Sequence, residues 1–183
     1  MIYMGELEEI YKYGTLVIWP EDNIREIVNN LRKKYDPESQ KICEAHITLT
    51  QPFEVEPNEQ IWNKINNYIK KFNGFEITVG PVEQFGSSQV IKLNIQPKEK
   101  ILELRNGLHR LGYFNTKLPY TEGFIPHMTI SEGGIKEDKK IKNIITQLNE
   151  KMKAMKFKFG EITYIRPDKN FYFKVKKIIK LGK

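Results

Sequence analysis

Apolar positions along the chain change period repeatedly, and each change marks an element. Thr15 to Trp19 is a short apolar run stopped by Pro20, as a buried strand is. Ile24, Ile27, Val28 and Leu31 then follow helical spacing, with Asp22 or Asn23 placed to cap the start and Asp36-Pro37 to end it. A strand-like run from Ala45 to Thr50 closes at Pro52. A second helix opens at Pro57-Asn58, carries Ile61, Ile65, Tyr68, Ile69 and Phe72 on one stripe, and stops at Asn73-Gly74. Phe75, Ile77 and Val79 alternate until Gly80-Pro81 breaks the run. After a turn at Gly86-Ser87-Ser88, Ile91, Leu93 and Ile95 alternate again, which predicts two antiparallel neighbours. A third helix on Ile101, Leu104, Leu108 and Leu111 ends at Gly112, and the loop Tyr113 to Ile125 exceeds the usual connection length. A second strand-like run, Pro126 to Ser131, precedes the turn at Gly133-Gly134 and a fourth helix on Ile141, Ile144, Ile145 and Leu148. Met155 to Ile165 and Phe171 to Ile179 predict a final hairpin around Arg166 to Asn170. Residues 1 to 13 show no clear period and read as a loosely held lead-in.

The two halves share an order of helix, strand-like run, helix and further strands. That repetition predicts an α+β fold of two lobes related by a pseudo-twofold axis within one domain spanning residues 1–183. Mainly antiparallel sheets would surround a central cleft, with helices outside. Such an axis would bring the two strand-like runs face to face.

Composition changes this picture little. With 39% apolar and 29% charged residues the balance is that of an ordinary globular chain. No apolar run approaches the roughly 18 to 20 residues that span a bilayer, and Glu6, Glu8 and Glu9 do not suit a signal peptide. The single cysteine, Cys43, excludes an internal disulfide and favours a reducing compartment, so the chain is expected in the cytoplasm, as a monomer. A net charge of +7 favours anionic partners, nucleic acid first, although solvated lysine-rich faces account for it equally well.

The candidate chemistry lies in the repeated runs. Ala45-His46-Ile47-Thr48-Leu49-Thr50 and Pro126-His127-Met128-Thr129-Ile130-Ser131 both read His-x-Thr-apolar and hold two of the chain's three histidines. Residues i and i+2 of a strand share a face, so each run points an imidazole and a hydroxyl the same way. Either histidine alone would pass for a core residue; the matched pair points to chemistry. Free imidazole titrates near ~6.5, so one ring can take a proton from a nucleophile while the other gives one to a leaving oxygen. Thr48 and Thr129 would donate to non-bridging phosphate oxygens. This arrangement suits a phosphodiester, and a strained cyclic 2′,3′-phosphate in particular. The pseudo-symmetry leaves open which histidine is acid and which is base. No third ligand accompanies the pair, since His109 falls in a helix and reads as a surface residue, so no metal is expected.

These motifs resemble the paired His-x-Thr/Ser-apolar motifs of the 2H phosphoesterase superfamily, which includes 2′-5′ RNA ligases and cyclic phosphodiesterases. Lys12-Tyr13-Gly14, the stretch Arg32 to Pro37 and Leu49 to Glu54 are similar to its small YjcG-like bacterial branch. The resemblance implies a bilobal α+β fold with both motifs lining a groove, His46 and His127 as the acid–base pair, and Thr48 and Thr129 as phosphate binders. It implies a metal-independent phosphodiesterase acting on RNA or a nucleotide without a cofactor. The alternatives are a 2′-5′ RNA ligase using the same site and a non-catalytic RNA-binding module. Ligase-like members place a basic residue shortly after each motif; here Thr50-Gln51 and Ser131-Glu132 follow.

Other residues carry less. Tyr120 and Phe124, in the long loop, could stack a nucleobase or anchor the loop. Phe53 is expected in the core. Nothing in the sequence marks Cys43 as a nucleophile. Arg25 and Arg32 lie on a helix beside the groove, with no assigned role. Lys174, Lys176, Lys177, Lys180 and Lys183 suit either an RNA backbone or a protected sheet edge.

Overall fold

Period-two runs rich in Val, Ile, Thr and Phe become strands in the computed structural model, which describes residues 4–119 and 121–182. The strands are β1 (Thr15–Ile18), β2 (Ile47–Thr48), β3 (Phe75–Gln84), β4 (Val90–Gln96), β5 (His127–Glu132), β6 (Met155–Phe159), β7 (Glu161–Pro167) and β8 (Phe173–Lys180). The helices are α1 (Met4–Ile10), α2 (Asp22–Tyr35), α3 (Pro37–Ile42), α4 (Glu59–Ile69), α5 (Lys98–His109) and α6 (Asp138–Lys151). All strands pair antiparallel in one eight-stranded sheet of order β6-β3-β4-β5-β2-β1-β7-β8. The fold is α+β with the helices outside the sheet.

The expected twofold repeat is visible in that order. β1–α2–α3–β2 and β4–α5–β5 are equivalent hairpin-like units, and the pseudo-twofold axis passes between β2 and β5. The motif strands therefore do not confront each other across a gap between separate sheets. They are neighbours at the centre of a shared sheet, paired at Ile47 and Met128.

A single residue, Gly160, connects β6 to β7, although the two strands stand first and seventh in the sheet. Consecutive Cα atoms are only ~3.8 Å apart, so the sheet must curl until the end of β6 lies beside the start of β7. The seam is closed by Leu181 N–H donating to the Gly160 carbonyl (3.0 Å) and by a bridge between Asn73 and Gly182. The expected single strand from Met155 to Ile165 is thus two strands at opposite ends of the sheet. Only β7 joins β8 in the predicted hairpin.

Ile24 and Val28 of α2, Ile61, Ile65 and Ile69 of α4, Ile101, Leu104 and Leu108 of α5, and Ile141 and Leu148 of α6 bury one face of the sheet. Each such side chain contributes roughly 1.5–3 kcal/mol, which makes this face the anchor of the fold. A smaller cluster, Val17, Cys43, Ile165, Phe171 and Phe173, lies on the other face at one end, covered by Leu7, Tyr11 and Ile42. The rest of that face is left for the site.

Three further expectations are corrected. The lead-in contains α1, whose Leu7 packs on the small cluster although no regular period announces it. Asp36-Pro37 ends α2 but also starts α3, because the Asp36 carboxylate accepts from Ser39 N–H and Oγ (3.3 and 3.0 Å) with Pro37 in the first turn. β3 runs through Gly80-Pro81 by a register shift between Val79 and Val82, with Val82 N–H donating to Asn149 Oδ1 (2.8 Å).

Candidate active site

Burial alternates along both motif strands. His46, Thr48, His127 and Thr129 are half-buried, whereas Ile47, Leu49, Met128 and Ile130 are fully buried in the core. Continuing the antiparallel register from the Ile47–Met128 pair sets His46 opposite Thr129 and Thr48 opposite His127. Side chains directly opposite in such a pair have Cβ atoms about 4.5–5.5 Å apart. The four motif residues therefore form one diagonal patch, each histidine facing the other motif's threonine.

Both imidazoles are held identically. Nδ1 of His46 bonds the Glu44 carbonyl at 2.7 Å and Nδ1 of His127 bonds the Ile125 carbonyl at 2.7 Å. A carbonyl only accepts, so each Nδ1 carries hydrogen and each Nε2 is the nitrogen left to take up or release a proton. Among the described residues neither Nε2 has a hydrogen-bond partner. Burial pushes the His46 pKa down to about 4, opposed by the Glu44 bond and reinforced by Arg32 and His127. His127 is also lowered, by burial first and by Lys92. The Trp19 ring lies parallel to His46 with centroids 6.4 Å apart, and Phe85 stands edge-on to His127 at 5.0 Å.

Several site residues lie on neighbouring strands. Lys92 and Asn94 of β4 sit directly opposite Thr129 and His127, on the same face. Lys92 is 5% exposed and charged, a state that requires partners. It donates to Glu83 (3.2 Å) and to Asn94 Oδ1 (2.9 Å), while Asn94 Nδ2 donates to Glu83 (2.7 Å). The signal was present in the sequence: the polar positions between Ile91, Leu93 and Ile95 face the side that the histidines occupy. Which strand lies beside β5 was not readable.

Two buried arginines brace the ends of the β2–β5 pair. Arg32, from α2, donates to the carbonyls of Thr129 (3.0 Å) and Cys43 (3.3 Å), and among the described residues its Nε has no partner. Arg105, from α5, donates to the Leu49 carbonyl (2.8 Å) and lies 3.9 Å from the Phe124 ring. Four residues beyond each arginine an acceptor holds the backbone N–H five residues past the motif histidine. Asp36 accepts from Glu132 N–H (2.7 Å), and His109 Nε2 accepts from Gln51 N–H (3.0 Å). His109 is thus no surface residue. It is half-buried, and burial with the Arg105 charge lowers its pKa to about 4.

Phe124 reaches the site region, 6.4 Å from His127 by ring centroids as well as against Arg105. Tyr120 lies outside the described residues. Phe53 is in the core, 4.5 Å from Phe114. Cys43 Sγ is 3.4 Å from His46 Nδ1, but burial pushes the thiol up to about 12, which keeps it protonated. Arg25 is engaged by Glu44 and Asp22, beside Trp19. Among the described residues, no three His, Cys, Asp or Glu side chains converge into a set that would hold a metal ion.

Comparison with known proteins places this geometry in context. The family model described as the 2′-5′ RNA ligase superfamily matches residues 20–170. A Bacillus anthracis protein with a provisional phosphoesterase name is 35% identical over 121 residues, 64% of this chain and 68% of the relative. A similarly named Bacillus cereus protein is 34% identical over the same shares. Escherichia coli LigT complexed with NADP+ aligns with a TM-score of 0.58 at 18% identity, over 92% of this chain and 96% of LigT. LigT complexed with 3′-AMP gives 0.57 at 17%, over 92% and 97%. TT0787 of Thermus thermophilus gives 0.59 at 14%, over 92% and 98%. At these identities the structural likenesses speak for the fold alone.

Proposed function

Because the chain belongs to the 2′-5′ RNA ligase superfamily, we propose that it is a metal-independent phosphodiesterase that hydrolyses a cyclic 2′,3′-type or 2′-5′ phosphodiester of RNA or a nucleotide. The observation that carries this reading is the cross-strand diagonal of His46, Thr129, Thr48 and His127. It gathers two proton-transfer groups and two hydroxyl donors around a space suited to one phosphate.

In this reaction the Nε2 of neutral His46 takes a proton from water as the water oxygen bonds to phosphorus. His127, as imidazolium, passes its Nε2 proton to the ribose oxygen as the P–O bond breaks. His46 serves as base because burial depresses its pKa to about 4, which keeps it neutral. Thr48 and Thr129 donate to the non-bridging oxygens, and the positive charge of Lys92 beside Thr129 favours the same developing negative charge. Cys43 stays reduced in the cytoplasm, where a monomer suffices for this chemistry. The nucleotides in the LigT structures are consistent with a nucleotide or an RNA end as substrate.

Hydrolysis is preferred over 2′-5′ ligation because Thr50-Gln51 and Ser131-Glu132 follow the two motifs, where ligase-like members often place a basic residue. The test is incubation with a nucleoside 2′,3′-cyclic phosphate in excess chelator. Release of one monophosphate isomer, abolished in both His46→Ala and His127→Ala, is expected. RNA binding without turnover would assign a binding module, and chelator-sensitive turnover would restore a metal.

A further inference from the structure

The two halves of the site are equivalent in backbone but not in chemistry. Lys92 opposes Thr129 and Asn94 opposes His127. At the equivalent places of the other half, Val17 opposes Thr48, and Trp19 follows two residues on, beside His46. One flank is polar and cationic; the other is apolar and aromatic. A site for a bare phosphate would gain nothing from that difference.

The apolar flank is also hollow. A cavity of about 210 Å³ opens beside His46 and Thr48, walled by Leu7, Tyr11, Ile42, Ile165, Phe171 and Phe173, with Thr15, Ser39, Cys43 and Glu132 adding polar atoms to its lining. Leu7 of α1 and Ile42 of α3 contribute to its lining. Arg32, 3% exposed, also lines it. The cavity is smaller than the ~300–1,000 Å³ of drug-sized pockets, so it holds one small ring system and not a run of nucleotides.

We infer that this cavity is the nucleobase subsite of the enzyme, so that a substrate enters in one orientation, with its base beneath α1 on the His46 side and the remainder of the phosphodiester toward Lys92. Aromatic and aliphatic walls stack a base whatever its identity. A space of about 210 Å³ takes one ring system, which makes a nucleotide or a chain terminus the substrate class. This inference rests on the phosphodiesterase reading for its substrate, but its test does not depend on turnover.

Calorimetry on the full chain would compare a nucleoside monophosphate with ribose monophosphate, which has no base. The nucleoside form is expected to bind about tenfold tighter or more. Leu7→Trp, which fills the cavity, should abolish the difference while leaving ribose monophosphate affinity within about twofold. Ile42→Phe, filling it from α3, gives the same readout should α1 fail to tolerate tryptophan. Equal affinities in the unaltered protein, or a preference that survives both filling variants, would overturn the subsite. If the preference appears and is erased as expected but no cyclic phosphate is hydrolysed, the subsite stands and the phosphodiesterase reading falls.

Discussion

At the scale of single residues, the titration of the histidines is the most exposed consequence of the structure. Burial lowers His46 and His109 to about 4, so the folded protein keeps both rings neutral where the unfolded chain, titrating near ~6.5, takes up protons. Stability from this burial is fully present above ~6.5 and is lost as pH falls toward 4. Thermal melts across that interval should show a falling Tm, and a flat Tm would contradict it. Catalysis has its own profile. With His46 as base, kcat/KM rises as pH climbs through about 4. With His127 as acid, it declines once pH passes that residue's lowered pKa, below the usual ~6.5. The optimum is therefore acidic, and a plateau reaching alkaline pH would contradict the assignment. Lys92→Met should lower kcat by about 10²–10³, with partial recovery in Lys92→Arg, read as a kcat change at similar KM.

At the scale of elements, the brace formed by Arg105 decides how β2 and β5 stay together. Arg105→Met leaves the Leu49 carbonyl without its donor and removes the partner of Phe124, which should cost about 2–4 kcal/mol by urea unfolding. A loss under ~1 kcal/mol would show the brace to be dispensable. The same scale shows what the sequence could disclose. His46, Thr48, His127 and Thr129 were readable because histidine is scarce here and strand alternation fixes which residues share a face. α2, α4, α5 and α6 were readable from long stripes of Ile and Leu. β2 spans only Ile47–Thr48, and α3 only Pro37–Ile42; neither is long enough to impose a period. Arg32, Arg105 and His109 looked like ordinary helix residues, because only the tertiary packing turns them toward the motif strands.

At the scale of the whole molecule, the pseudo-twofold repeat was visible in element order, whereas the single curled sheet was not, since pairing β6 with β3 depends on contacts far apart in sequence. Gly182 tests the curl. A Cβ there would meet the Lys70 carbonyl oxygen and sit 3.2 Å from that of Phe72. Gly182→Val should therefore lower Tm by several degrees while turnover per folded molecule is kept, because the seam lies away from the histidines. Loss of activity without loss of stability would contradict this division. β8, an edge strand carrying Lys174, Lys176, Lys177 and Lys180, has charges suited to discouraging edge pairing.

The central claim is that two histidines from two halves of the chain act as one catalytic unit on one phosphate. The most direct measurement is a double-mutant cycle: kcat on a nucleoside 2′,3′-cyclic phosphate for His46→Ala, His127→Ala and the double variant. Members of one unit are strongly non-additive, so the double variant should be about as slow as either single one. Losses that multiply, or a double variant that turns over nearly as fast as the unaltered protein, would show that the two rings do not work together.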